Sequence, residues 1–228
     1  MSNSFFKSSI GRKYAMAASA LFLMFFLLQH LTINLLSVFS PTAFNEVSHF
    51  MGTNPVVQFA LQPVLMFAVI FHFVMGFILE IKNNKAREVK YVKYNGGANA
   101  SWFSRNMILT GLVILAFLGL HFYDFWIHEI TVKYIQGDMT GVNAAGEFRY
   151  YEELQHKFVD GWRIVIYAIS FVLLAMHLLH GFNSAFQSVG GDTKFKTGRQ
   201  KFGIAFSILV PLGFIFIAVF HFLTQTGH

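Results

Sequence analysis

The sequence predicts an all-α integral membrane protein, a bundle of five transmembrane helices. Three observations lead there. Hydrophobic residues make up 55% of the 228 and charged residues only 12%, against about 25% charged in an average soluble domain. Five stretches, at 14–39, 57–81, 106–127, 163–186 and 202–224, reach the roughly 20 apolar residues that a helix needs to cross the hydrocarbon core. The charges gather between those stretches, which excludes a uniform basic surface for nucleic acid. Val and Ile are mixed with Leu, Phe and Ala over lengths beyond any single strand, so a barrel of alternating strands does not fit.

Taken in order, the first stretch is too long for the apolar core of a signal peptide and no small-residue cleavage site follows it, so it is expected to remain as a span. The connection after the second, at 82–101, ends in Gly96-Gly97-Ala98-Asn99 and reads as a flexible loop. The longest connection runs over 128–162, where Gly137, Gly141 and Gly146 mark turns and 150–160 reads as a short surface helix. It is too short for a domain, and the whole chain, 1–228, reads as one membrane domain. Lys7, Arg12 and Lys13 precede the first span, Lys82, Lys85, Arg87, Lys90, Lys93 and Arg105 follow the second, and Lys194, Lys196, Arg199 and Lys201 follow the fourth. The opposite side carries only Lys133, Arg149, Lys157 and Arg163. The positive-inside rule therefore predicts a cytoplasmic N-terminus and an external C-terminus.

The sequence has no cysteine, so disulfides, iron–sulfur clusters, cysteine-ligated zinc and covalently attached haem are all excluded. Redox chemistry here requires a cofactor held without covalent bonds. Histidines stand within the spans, at 30, 72, 121, 177, 180 and 221, where ionisable groups are costly and mark function. His30 lies 16 residues after the start of its outward-running span and His121 lies 15 after the start of its own. His72 and His177 each lie 9 residues before the end of an inward-running span. They form two depth-matched pairs, His72 with His177 nearer the cytoplasm and His30 with His121 nearer the outside, on levels separated by about 10 Å at 1.5 Å per residue. Two haems, each held by two imidazoles, fit that arrangement. His72-Phe-Val-Met-Gly76-Phe77 and His177-Leu-Leu-His-Gly181-Phe182 also share a pattern in which a glycine one turn away leaves room for a flat macrocycle. That relation selects His177 over His180, to which it leaves a hydrogen bond with a neighbouring helix or a haem propionate.

With Gln29-His30-Leu31-x-x-Asn34 in the first span, His72-x-x-x-Gly76 in the second, Ser104-Arg105 and His121 in the third, and His177-x-x-x-Gly181 with Ser184 in the fourth, the chain resembles a known family. This is the five-helix, single-chain di-haem cytochrome b membrane anchor of succinate:menaquinone oxidoreductases and fumarate reductases. The resemblance covers nearly the whole chain. It implies two haem b groups, a proximal one on His72 and His177 and a distal one on His30 and His121. It also implies a flavoprotein subunit and an iron–sulfur subunit on the cytoplasmic face of a bacterial inner membrane, and a quinone, menaquinone in that family, as the electron partner. Two departures stand out: some members carry a membrane glutamate where this chain has Ala175, and Ser19-Ala20 stands where a glycine is often found.

Among the weaker sites, Arg105 begins a haem-bearing helix and is the basic residue best placed for a propionate. Quinone chemistry requires a polar, proton-active group beside an apolar cleft. Glu46, His49, Asp124 and His128 are the outer candidates, with Asp124 and His128 on the same face as His121. Two other readings compete. A cytochrome b subunit of a membrane hydrogenase or formate dehydrogenase also uses paired histidines, but the Q-H-L-x-x-N motif and five spans speak against it. A transporter with a histidine proton relay lacks the expected membrane carboxylates and broken helices.

Overall fold

A computed structural model describes residues 8–85, 106–190 and 195–226. Among the described residues there is no strand, only one isolated bridge between Val142 and Phe148. The Gly96–Asn99 loop, Arg105 and the basic residues Lys7, Arg87, Lys90, Lys93 and Lys194 lie outside them.

Single polar residues punctuate the outer end of the first two spans. Helix α1, Ser9–Phe39, begins at Ser8, whose hydroxyl accepts the Gly11 N–H at 2.9 Å, which satisfies one of the amides that a helix start leaves open. It ends at Ser40, which donates its own N–H to the Leu36 carbonyl and accepts the Ala43 N–H at 3.2 Å. That second bond, with Pro41 in the first turn, starts α2, Pro41–Thr53. The hydropathy pattern did not announce this helix. Asn54 ends it, and its carboxamide oxygen accepts the N–H groups of Val56 and Val57 at 2.9 and 3.3 Å. A π-helical turn, Val57–Leu61, then leads into α3, Gln62–Lys85. Pro63, just after that turn, has no N–H to offer the preceding carbonyls.

The third span belongs to a helix longer than the apolar stretch at 106–127. Helix α4, Met107–His121, continues through a π-helical stretch at Phe122–Ile127, a short α turn at His128–Ile130 and another π-helical stretch at Thr131–Ile135. Charged residues follow 127. Those charges are satisfied inside the helix: Lys133 pairs with Glu129 at 2.6 Å and donates to the Gly52 carbonyl. Gly137, Gly141 and Gly146 do make the expected turns, at φ of 78°, 67° and 82°. Helix α5, Tyr150–Lys157, is the short outer helix, and it plugs the bundle, since Leu154 and Phe158 are buried. Helices α6, Gly161–Ser188, and α7, Lys196–Thr226, complete five helices long and apolar enough to cross a membrane.

The tight core lies where α1, α6 and α7 meet, around Ala17, Met24, Leu31, Phe171, Phe182, Phe206, Val210, Phe214 and Ala218. Rings such as Phe25, Phe59, Phe67 and Phe216 face outward, as helices apolar on every side require. Small residues let α7 approach closely. A Cβ on Gly203 would lie 2.5 Å from the Phe182 ring, and one on Gly213 would lie 2.9 Å from Leu31. Gly203→Val and Gly213→Val should each destabilise the bundle by about 1–3 kcal/mol through overpacking. Thermal melts in detergent followed by circular dichroism would read this, and unchanged midpoints would refute the close approach. Helix α3 leans on α1 and α4 leans on α6, while α3 and α4 touch little. The space left between them holds the site.

Candidate functional site

A cavity of about 940 Å³ runs between α1, α3, α4 and α6, at the upper end of the ~300–1,000 Å³ of small-molecule sites. Leu, Ile, Phe and Met side chains make most of its wall, and His30, His72, His121, His177 and His180 interrupt it. The rings of His72 and His177 are 6.4 Å apart at 66°, and those of His30 and His121 are 5.8 Å apart at 85°. With metal–nitrogen bonds of about 2 Å, two imidazoles facing one ion have ring centres about 6 Å apart, and both pairs match. No group of three or more His, Asp or Glu suited to a metal occurs among the described residues. Each pair can therefore give a metal two ligands, and the others must come from elsewhere.

The inner pair is held from neighbouring helices. Ser19 Oγ on α1 lies 3.1 Å from His72 Nδ1 on α3, and Thr110 Oγ1 on α4 lies 3.2 Å from His177 Nδ1 on α6. The glycines keep the wall low, because a Cβ on Gly76 would meet only Met16, at 3.7 Å, and one on Gly181 only Met107, at 4.0 Å. The outer pair sits in aromatic walls, with Phe26 and Phe214 against His30 and Phe117 and Phe125 against His121. His30 Nδ1 has the Asn34 amide at 3.4 Å, and His121 Nδ1 is buried without a hydrogen-bond partner among the described residues.

Ser19, in contact with His72, precedes His30 by eleven residues, or about 16 Å along the axis of α1, whereas the sequence reading counted about 10 Å along the membrane normal. Depths counted from hydropathy boundaries assume that all spans begin at one level. Here α1 begins at Ser9 and α3 runs to Lys85, both past the apolar limits.

His180 lines the cavity beside His177. The three quinone candidates are not brought together. Asp124 is wholly buried, with Arg163 at 3.1 and 3.2 Å and the Tyr167 hydroxyl donating to it at 3.0 Å. His128 is 3.1 Å from Glu153. Glu46 is exposed on α2. His49, on α2 as well, stacks on Phe148 and lies 3.3 Å from the Tyr150 hydroxyl. His128 belongs to a chain of charges, in which Arg149 joins Glu153 to Glu129 and Glu129 joins Lys133. Burial works to lower the Arg149 pKa, but the hydrogen bonds it donates to Glu129 and Glu153, with their charges, outweigh it and raise the value. Burial and the nearby Glu129 charge push Tyr150 up to about 12.

Sequence reasoning missed the contacts of Ser19 and Thr110 with the inner histidines and the Arg163–Tyr167 clamp, and it noted His221 within its span but gave it no partner. The last is fully buried on α7 and lies 2.8 Å from Ser37 on α1. A signal for the first two did exist: a hydroxyl residue stands eleven positions before the outer histidine in both the first and third spans. Nothing comparable marks the other three.

No protein-family model matches the chain, and no solved structure matches it. The chain is similar to the succinate dehydrogenase cytochrome b558 subunit of Bacillus subtilis (strain 168), with 30% identity over 101 residues. That match takes in 43% of this chain and 46% of the relative, so the chain spans less than half the length of the curated relative it matches.

Proposed function

We propose that this chain is the membrane anchor and electron-transfer subunit of a succinate:quinone oxidoreductase, and that it holds two b haems. The observation that carries the reading is the pair of histidine pairs set at two levels of one apolar cavity. The residues present fit such a group: two nitrogen donors per level, a flat glycine-lined wall at the inner level, and a buried, unpartnered His121 nitrogen at the outer one. His72 and His177 hold the inner haem, His30 and His121 the outer, and His180 and Arg105 serve the propionates. Bound there, haem supplies reversible one-electron transfer.

The protein's own part is to orient the ligands, keep water away from them and bring partners to each end. Phe and Leu walls exclude water along the cavity. The basic end, with Arg12, Lys13, Lys82, Lys85, Lys196, Arg199 and Lys201 among the described residues, faces the cytoplasm of a bacterial inner membrane. There it receives an iron–sulfur subunit and, through it, a flavoprotein that carries the succinate site. Quinone, menaquinone by the family resemblance, reacts near the outer polar groups, with Asp124, His128 and Glu46 as the proton-handling candidates. The resemblance to the Bacillus subtilis cytochrome subunit supports the assignment to this class of complex.

A pyridine haemochrome assay on the purified chain should give about two haems per polypeptide, and the native protein should show a split low-spin b-type band on reduction. One haem would mean that one pair is misassigned. A chain without any would return the histidines to a proton-relay role.

A further inference from the structure

We infer that Ser19 and Thr110 are positioning residues that fix the protonation of the two inner histidines, so that each presents Nε2 to a metal. The inference rests on the haem reading above. It begins with where each hydroxyl spends its proton. Ser19 Oγ donates to the Met16 carbonyl at 2.8 Å, and Thr110 Oγ1 donates to the carbonyls of Asn106 and Met107 at 3.1 and 3.0 Å. A hydroxyl has one proton and two lone pairs. With the proton committed to the helix backbone, only lone pairs are left for the histidine, 3.1 Å away for His72 and 3.2 Å for His177. The Nδ1 atoms must therefore carry the hydrogens, which leaves Nε2 with a free lone pair. Both hydroxyl residues are buried, Ser19 at 9% and Thr110 at 2% exposed, so water does not compete.

A Ser or Thr bonded to its own backbone is common in membrane helices and alone means little. Here it happens twice in the same relation. Ser19 stands three residues after Met16 and eleven before His30; Thr110 stands three after Met107 and eleven before His121. Eleven residues are about three turns, so the hydroxyl and the outer histidine share a face of one helix. The methionines repeat as well, since Met16 is the neighbour that a Cβ on Gly76 would meet, and Met107 the one for Gly181. The first and second spans are thus repeated by the third and fourth. In each half, one helix supplies the outer ligand and positions the inner one, and its partner supplies the inner ligand.

Outer-shell acceptors of this kind raise ligand basicity and hold the ring, and their loss typically weakens metal binding by about 10–100-fold. The test uses the full chain in its complex, with Ser19→Ala and Thr110→Val compared with Ser19→Thr and Thr110→Ser. Haem titration and redox potentiometry of the two spectral components are the readouts. Ser19→Ala and Thr110→Val should weaken retention of the inner haem by about 10–100-fold and shift its midpoint upward, because a less basic imidazole favours the ferric state less. The outer component should stay unchanged, and the conservative variants should behave as wild type. A purely structural role for the hydroxyls would not move one midpoint selectively. A wild-type chain with two haems whose inner component ignores both substitutions would overturn this inference alone. A wild-type chain without haem would overturn the functional reading and this inference with it.

Discussion

Replacing His72 or His177 with alanine should strip one spectral component from the reduced protein, and replacing His30 or His121 should strip the other. The expectation follows from the pairing, since each proposed metal position has two histidine donors, and no group of three or more His, Asp or Glu suited to a metal occurs among the described residues. With one of its two histidines removed, a haem would lose a strong-field nitrogen donor, so its low-spin signature should disappear even where some haem stays bound. His180→Ala should leave both components in place, because His180 is absent from both ring pairs. The measurement is the dithionite-reduced spectrum of each purified variant against wild type. If His180→Ala removed a component and His177→Ala did not, the inner pair would be His72 with His180, and the glycine relation in the fourth span would have to be abandoned.

The second large effect lies beside the outer pair, three residues beyond His121. Asp124 is completely buried, and Arg163 and Tyr167 are its only hydrogen-bonding or ion-pair partners among the described residues. Arg163→Leu would leave a buried carboxylate with a single hydroxyl for company, and breaking a buried pair from one side costs about 3–5 kcal/mol. Asp124→Leu should cost less, because Arg163 keeps its 2.8 Å contact with the half-exposed Asp160. The double variant, with leucine at both positions, should recover most of the loss, since two apolar groups restore a neutral interior. Thermal unfolding of the four proteins in one detergent closes the cycle. Additive losses would mean that the pair is not coupled. The same set bears on quinone chemistry, for which Asp124 is one of the candidates. Quinone reduction that survives Asp124→Leu would move the proton-handling role to His128 or Glu46.

Part of this site was legible because membrane spans write their position into local composition. A run of twenty apolar residues needs no partner to be recognised, and a histidine inside it stands out against that background, so His30, His72, His121 and His177 could be found and sorted into two levels. Their expected separation of about 10 Å along the normal treats hydropathy limits as a common depth. The helices α1 and α3 run past their apolar segments into charged residues such as Arg12 and Lys82. The third span was cut short for a related reason: Glu129 and Lys133 look like the start of a loop when read singly. As an i,i+4 pair on a continuing helix they neutralise each other, and Gly52 takes the remaining hydrogen bond.

By itself, then, the sequence determined the number of spans, the residues available to bind a metal, and the exclusion of every cysteine-based cofactor. Each of these depends on composition or on spacing within one helix, where 1.5 Å per residue is enough to reason with. Only the tertiary structure decided which rings face each other, that Ser19 and Thr110 hold His72 and His177, and that Asp124 is claimed by Arg163 and Tyr167. It also decided that α2 folds over the outer end after the Ser40 corner. These are contacts between helices, set by the rotation of each helix about its axis and by the π-helical turns of the third span. Hydropathy averages over helix faces, so it holds no record of that rotation, and the contact that gives a buried polar group its partner becomes readable only when both helices are in place.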